Sequence, residues 1–145
     1  MSEHDTPGPA WARMLELPRV AVSEIEVRSI ASGPGVYAWF RSSDPIYAGK
    51  ASGAGGLRGR LSKHLGVGLD LSRSSLRRNI AEHVLGVPTS VSRQRPSAMS
   101  AEQVSAVNGW IRELEVAWLE LPTSGEAITF ERELLREWMP PLSKQ

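Results

Sequence analysis

Glu131 is the first residue in this chain whose position calls for chemistry. Residues 123–138 read as a helix opened by a Thr123-Ser-Gly-Glu126 capping box and stopped by Pro140-Pro141. At about 100° per residue, Ala127, Phe130, Leu134, Leu135 and Trp138 share one apolar arc, and Glu131 falls inside it, about 40° from Ala127. Arg132, Glu133, Arg136 and Glu137 fall outside that arc. A carboxylate turned toward a core is costly unless a cation or hydrogen-bond donors receive it. Two receivers fit: a core-facing Arg in a structural ion pair, or a divalent metal ion.

A second constellation lies on an earlier helix, where Leu57, Leu61 and Leu65 form an apolar stripe. Arg60 and His64, at i and i+4, project together from one edge of it. Arg forks onto phosphate oxygens and His moves a proton near neutral pH, although the pair also reads as the polar border of an amphipathic helix. Other chemistries are excluded. The 145 residues contain no cysteine, so disulfides, thiol nucleophiles and cysteine-held metals are absent. His4, His64 and His83 are too scattered for a histidine cage, and Gly49-Lys50 lacks the spacing of a phosphate-binding Walker loop.

The elements that must carry these residues follow from local signals. Residues 1–9 read as a disordered tail, 10–17 as a short helix, and 18–30 are ambiguous. After the Ser32-Gly-Pro-Gly35 turn, Val36–Phe40 and Ile46–Gly49 read as two antiparallel strands joined across Arg41-Ser-Ser-Asp-Pro45. A flexible Ser52-Gly-Ala-Gly-Gly56 loop leads into the Leu57–Leu65 helix. A further helix capped by Ser72 or Ser74 runs to Gly86, followed by a polar loop over 89–98. The Ser100-Ala-Glu-Gln103 capping box opens a helix to about Leu114, and Glu115–Leu121 is a third strand. The expectation is one α/β (α+β) domain over 10–145, a small three-stranded antiparallel sheet flanked by helices.

Charge is uneven along the chain. Nine basic and two acidic residues lie between Lys50 and Arg95, so this stretch carries seven surplus positive charges while the whole chain is only +1. Such a block suits a polyanion on one face. No apolar run spans a bilayer and the first ten residues do not read as a secretion signal, so a cytoplasmic protein without membrane contact is expected.

Gly35-Val-Tyr37 followed by Ile46-Tyr-Ala-Gly-Lys50 resembles the GIY-YIG nuclease signature. The run Leu57-Arg-Gly-Arg60-Leu-Ser-Lys-His64 resembles that superfamily's helix with Arg and, four residues on, His or Tyr. Glu131-Arg-Glu-Leu-Leu and the later Pro140-Pro-Leu-Ser143 resemble its metal-binding Glu and closing Pro-Pro-Leu-Asn. The four elements stand in order across residues 33–143, and the superfamily's fold agrees with the element order above.

The resemblance implies an endonuclease that hydrolyses DNA phosphodiester bonds, with RNA not excluded and branched or damaged DNA as candidate substrates. Glu131 would hold one Mg²⁺ or Mn²⁺ ion and Arg60 would neutralise charge on the phosphoryl oxygens. Tyr37 and Tyr47 would border the attacking water, with Tyr37 its proton acceptor and Lys50 the cation that makes a phenol basic enough. His64 would hydrogen-bond the phosphate or relay a proton. Gly35 and Gly49 would be structural, letting backbone approach the substrate. Arg58, Lys63, Arg73, Arg77, Arg78, Arg93 and Arg95 would track the nucleic-acid backbone with little sequence specificity. Ser143 stands where the superfamily has Asn, so its shorter hydroxyl is expected to weaken the site or to need a bridging water. The alternative is a nucleic-acid-binding module that keeps the fold with weak or no catalysis.

Overall fold

The computed structural model describes residues 7–143. In chain order its elements are α1 (Pro9–Leu15), β1 (Val20–Ala21), β2 (Gly35–Arg41), β3 (Asp44–Ala51), α2 (Gly56–His64), α3 (Ser75–Leu85), α4 (Thr89–Ser92), α5 (Ala101–Arg112), β4 (Glu115–Glu120) and α6 (Ser124–Glu137). Two short 3-10 turns occupy 22–24 and 27–29. The tail expected at 1–9 lies outside the described residues as far as position 6, and Pro9 already opens α1 at a first-turn position that suits proline.

The sheet is antiparallel throughout, in the order β1-β4-β2-β3. It has four strands, not the expected three. The additional strand is only two residues long, too short to leave an alternating pattern, and pairs Val20 with Val116 and Ala21 with Glu115. A second correction concerns 89–98: Thr89–Ser92 forms a helical turn, not loop.

The pleat divides β2 between two cores. Tyr37 and Trp39 point to a face covered by α2, α3 and α5, with Leu57, Leu61, Leu76, Ile80, Val107 and Ile111 as partners. Val36, Ala38 and Phe40 point to the other face, covered by α1 and α6 through Trp11, Met14, Ala127 and Leu134. On β3 the register shifts between Trp39 and Phe40, since Trp39 pairs with Tyr47 and Phe40 with Pro45. Ile46 is the extra residue of this bulge, and it joins Tyr47 in the first core.

Of the two expected capping boxes, one forms in full and the other in half. Ser100 and Gln103 make a reciprocal capping box on α5, and the Thr123 hydroxyl accepts from Glu126 N on α6. The outer edge of β3 is covered by the chain's end: Leu142 N donates to Ile46 O at 2.9 Å, and Ser143 bonds the Ala48 backbone.

Candidate active site

The chemistry-bearing residues occupy both faces of the sheet and meet across β3. On the first face, β2 supplies Tyr37 and β3 supplies Tyr47, with stacked rings whose centroids are 6.4 Å apart. The Tyr37 hydroxyl is 2.7 Å from His64 Nε2, and His64 Nδ1 is 2.6 Å from Ser74 Oγ. Ser74 caps α3, its oxygen accepting from Arg77 N at 3.1 Å. One serine thus fixes both the start of α3 and the orientation of the imidazole. The Tyr47 hydroxyl meets Ser75 Oγ at 2.5 Å.

Gly49 makes the Tyr37 position possible, because a Cβ there would stand 2.5 Å from the Tyr37 hydroxyl oxygen. At Gly35 an added Cβ would meet Leu119 O at 2.2 Å and Leu57 Cδ1 at 2.8 Å. The expectation is close approach of the backbone to substrate; at both glycines the atoms a Cβ would meet belong to the protein. Gly56 was not singled out from sequence. It starts α2 with φ near +61°, and a Cβ there would strike Ser32 O.

Burial dominates the acid–base properties of this cluster. It pushes Tyr37 well above the ordinary phenol range; Tyr47 adds to the rise, and Arg60 opposes it by charge and hydrogen bonding. Tyr47 is likewise raised by burial, against its Ser75 hydrogen bond. His64 is held well below the usual imidazole range, by burial first and then by repulsion from Arg60, Arg78 and Lys63. Tyr37 is therefore a neutral phenol against a neutral imidazole.

Lys50 corrects an expectation. Its partner across the ladder is Val36, so its side chain points to the second face, and Nζ is 3.1 Å from Glu131 Oε1 on α6. The cation beside Tyr37 is Arg60. The receiver of the Glu131 carboxylate is thus a lysine from β3, not a core Arg. The Glu131 side chain is 19% exposed, and its charge still reaches both tyrosines. Lys50 borders two clefts. One, of about 410 Å³, is walled by Arg60, Lys63 and the glycine-rich loop; the other, of about 330 Å³, by Glu131, Arg132 and Arg136.

No group of three or more His, Asp or Glu side chains is placed to hold a metal among the described residues. The Glu131 carboxylate lines a cleft, and a carboxylate oxygen is the donor type that a hard divalent cation such as Mg²⁺ or Mn²⁺ takes.

The expected backbone-tracking cations divide into two groups. Arg77 is 2% exposed, and its guanidinium donates to Gly68 O, Asp70 O and Asn108 Oδ1, so it is a buried staple and is removed from the set. Arg58 bonds the carbonyls of Ile30 and Arg28, tying α2 to the preceding segment. Lys63, Arg73, Arg93 and Arg95 are exposed, and half-buried Arg78 lies near enough to Arg93, Arg60 and Arg95 to feel their repulsion. Ser143 needs no bridging water: its hydroxyl accepts directly from Ala48 N at 2.9 Å and lies 3.4 Å from Ala48 O. Ser75 was missed because a serine one turn from Arg78 has no distinguishing local pattern.

Arg60, a buried Tyr37–His64 pair, and a Lys50–Glu131 pair whose lysine borders both clefts thus stand close together on a small α+β sheet. The family model described as GIY-YIG catalytic domain matches residues 35–145, well over half of the chain, and the chain belongs to that nuclease family. No curated protein and no solved structure gives a significant match. No helix among the described residues is long and apolar enough to cross a membrane.

Proposed function

We propose that this chain is a metal-dependent endonuclease that hydrolyses DNA phosphodiester bonds with little sequence specificity, branched or damaged duplexes being candidate substrates. The observation that carries this reading is the Lys50–Glu131 pair standing between the two clefts, with Arg60 on one side and a carboxylate suited to a divalent cation on the other.

Each residue then has a role set by its surroundings. Arg60 binds the scissile phosphate and offsets the charge that grows on its oxygens. Glu131 would hold the cation, which supplies Lewis-acid polarisation of the phosphate and stabilises the leaving oxygen. Lys50 orients the Glu131 carboxylate. Tyr37 does not ionise on its own, since burial opposes the phenolate. It takes a proton from the attacking water as it passes its own to His64 Nε2, with His64 Nδ1–H donating to Ser74. The positive field that keeps His64 neutral comes partly from Arg60. A phosphate on Arg60 counters that part of the field, so bound substrate makes His64 more basic than it is in the free protein, while burial still opposes the imidazolium.

The test is cleavage of supercoiled plasmid and of a branched oligonucleotide with Mg²⁺, Mn²⁺ or EDTA, beside Glu131→Gln. Cutting that needs metal is expected, with a loss of at least about a hundredfold in the variant and oligonucleotide binding retained. Cutting that survives in EDTA or in Glu131→Gln removes the metal assignment. Binding without cutting by the wild-type chain leaves the binding-module alternative.

A further inference from the structure

Gly53 and Gly59 have no packing reason to be glycine. A Cβ added at either would meet nothing within 4 Å, and neither adopts a positive φ. They differ in this from Gly35, Gly49 and Gly56, where the protein's own atoms occupy the space. Gly59 lies inside α2, where alanine has room and would strengthen the helix.

Both residues line the cleft of about 410 Å³ whose other walls carry Lys50, Arg60 and Lys63. Anion capture by the start of α2 does not explain them, because those amides are already bonded. Gly56 N, Leu57 N, Arg58 N and Gly59 N donate to Gly53 O, Gly33 O, Ala31 O and Gly55 O. What remains is bare backbone beside three cations, one of which is the phosphate-gripping Arg60. A phosphate-bearing chain can lie on such a wall at van der Waals distance while its charges reach the neighbouring side chains.

We propose that the Gly53–Gly59 wall seats the sugar–phosphate backbone of the nucleic-acid strand beside the cleaved bond, a deoxyribose lying on the glycines and Lys63 taking the flanking phosphate. This rests on reading the adjoining centre as a phosphodiesterase, and it names the part of the substrate that the cleft receives. It assigns Gly53 in the loop and Gly59 in α2 a ligand-facing role, which at Gly59 helix propensity alone opposes.

The experiment pairs stability with affinity, measured on the full chain in EDTA so that cleavage plays no part. Gly59→Ala and Gly53→Ala are compared with Gly109→Ala, an exposed glycine of α5 that also has open space for a Cβ but lies outside the cleft. Thermal melting is expected to rise by about 2–4 °C in the two helical variants and not to fall in Gly53→Ala. Fluorescence anisotropy with a labelled branched oligonucleotide is expected to show Kd weakened at least about fivefold for both cleft variants and unchanged for Gly109→Ala. Unchanged affinity in both cleft variants overturns the proposal, and so does a fall in melting temperature, which would make the glycines a requirement of the fold. If the wild type cuts DNA and the glycine variants bind like wild type, only the backbone seat fails. If the wild type binds no oligonucleotide, the nucleic-acid reading fails and takes the seat with it.

Discussion

Burial keeps Tyr37 and His64 in neutral forms, and this has a consequence for stability as well as chemistry. His64 is fully buried and faces Arg60 and Lys63 on α2, Arg78 on α3, the Tyr37 hydroxyl and the Tyr47 ring. Its folded value lies below that of an unfolded histidine, so the unfolded chain binds a proton that the folded chain refuses. The contribution is complete above the ordinary value of about 6.5 and is lost as pH falls below it, with a slope of at most about 1.4 kcal/mol per pH unit. Thermal melts from about pH 8 to pH 5 should show wild type losing several degrees below pH 6.5, and His64→Gln, though less stable overall, losing fewer. Equal slopes would mean that His64 is not held neutral. At this scale the sequence placed Arg60, His64 and Glu131 well, because a helical wheel reports which side chains share a face. It did not pair Lys50 with Glu131 or lead from His64 to Ser74. Those contacts depend on which side of the sheet each helix covers, and no local spacing encodes that.

Helix α3 shows two adjacent arginines drawn into opposite duties. Arg77 turns inward to three acceptors, while Arg78 points toward Tyr47 and the guanidiniums of Arg60, Arg93 and Arg95, one Nη donating to Ser72 O. Arg77→Gln should lower stability by about 2–3 kcal/mol, because buried acceptors lose a charged donor, and should leave the salt dependence of DNA binding unchanged. Arg78→Gln with Arg93→Gln should change stability little and weaken binding about tenfold at low salt. Denaturant unfolding and anisotropy on the same preparations separate the two; if Arg77→Gln flattens the salt slope, its inward placement is wrong. The elements themselves were readable where local chemistry decides them: the Ser100–Gln103 box, the Thr123 cap, and the dense apolar run of β2. The two-residue β1, the Ile46 bulge and the single turn of α4 were not readable. Each exists because of tertiary pairing or packing that no window of the sequence contains.

Across the whole molecule, the site is divided by its own sheet. The tyrosines, Arg60 and His64 are packed with α2 and α3 on one face, while Lys50 and Glu131 meet under α6 on the other. Among the described residues, the edge strand β3 is the only element that contributes site residues to both sides, which is why the closing segment that covers it matters to the site. Ser143 holds β3 at Ala48, between Tyr47 and Gly49. The same geometry limits which cations reach a substrate. With Arg77 buried and Arg58 tied to backbone, five cations of the basic block remain at the surface outside the catalytic set: Lys63, Arg73, Arg78, Arg93 and Arg95. If each of these, and Arg60 at the scissile phosphate, neutralises one duplex phosphate, log Kd should change with log salt with a slope of about 5, since each contact contributes roughly 0.9. Because contacts to phosphate carry no sequence information, two unrelated duplexes should bind within about twofold of each other. Anisotropy titrations in EDTA at several salt concentrations measure both quantities. A slope below about 2 would mean that the surplus charge faces solvent, not DNA. A tenfold preference for one sequence would mean that some side chain reads base edges, and would move the search to the 330 Å³ cleft around Arg132 and Arg136.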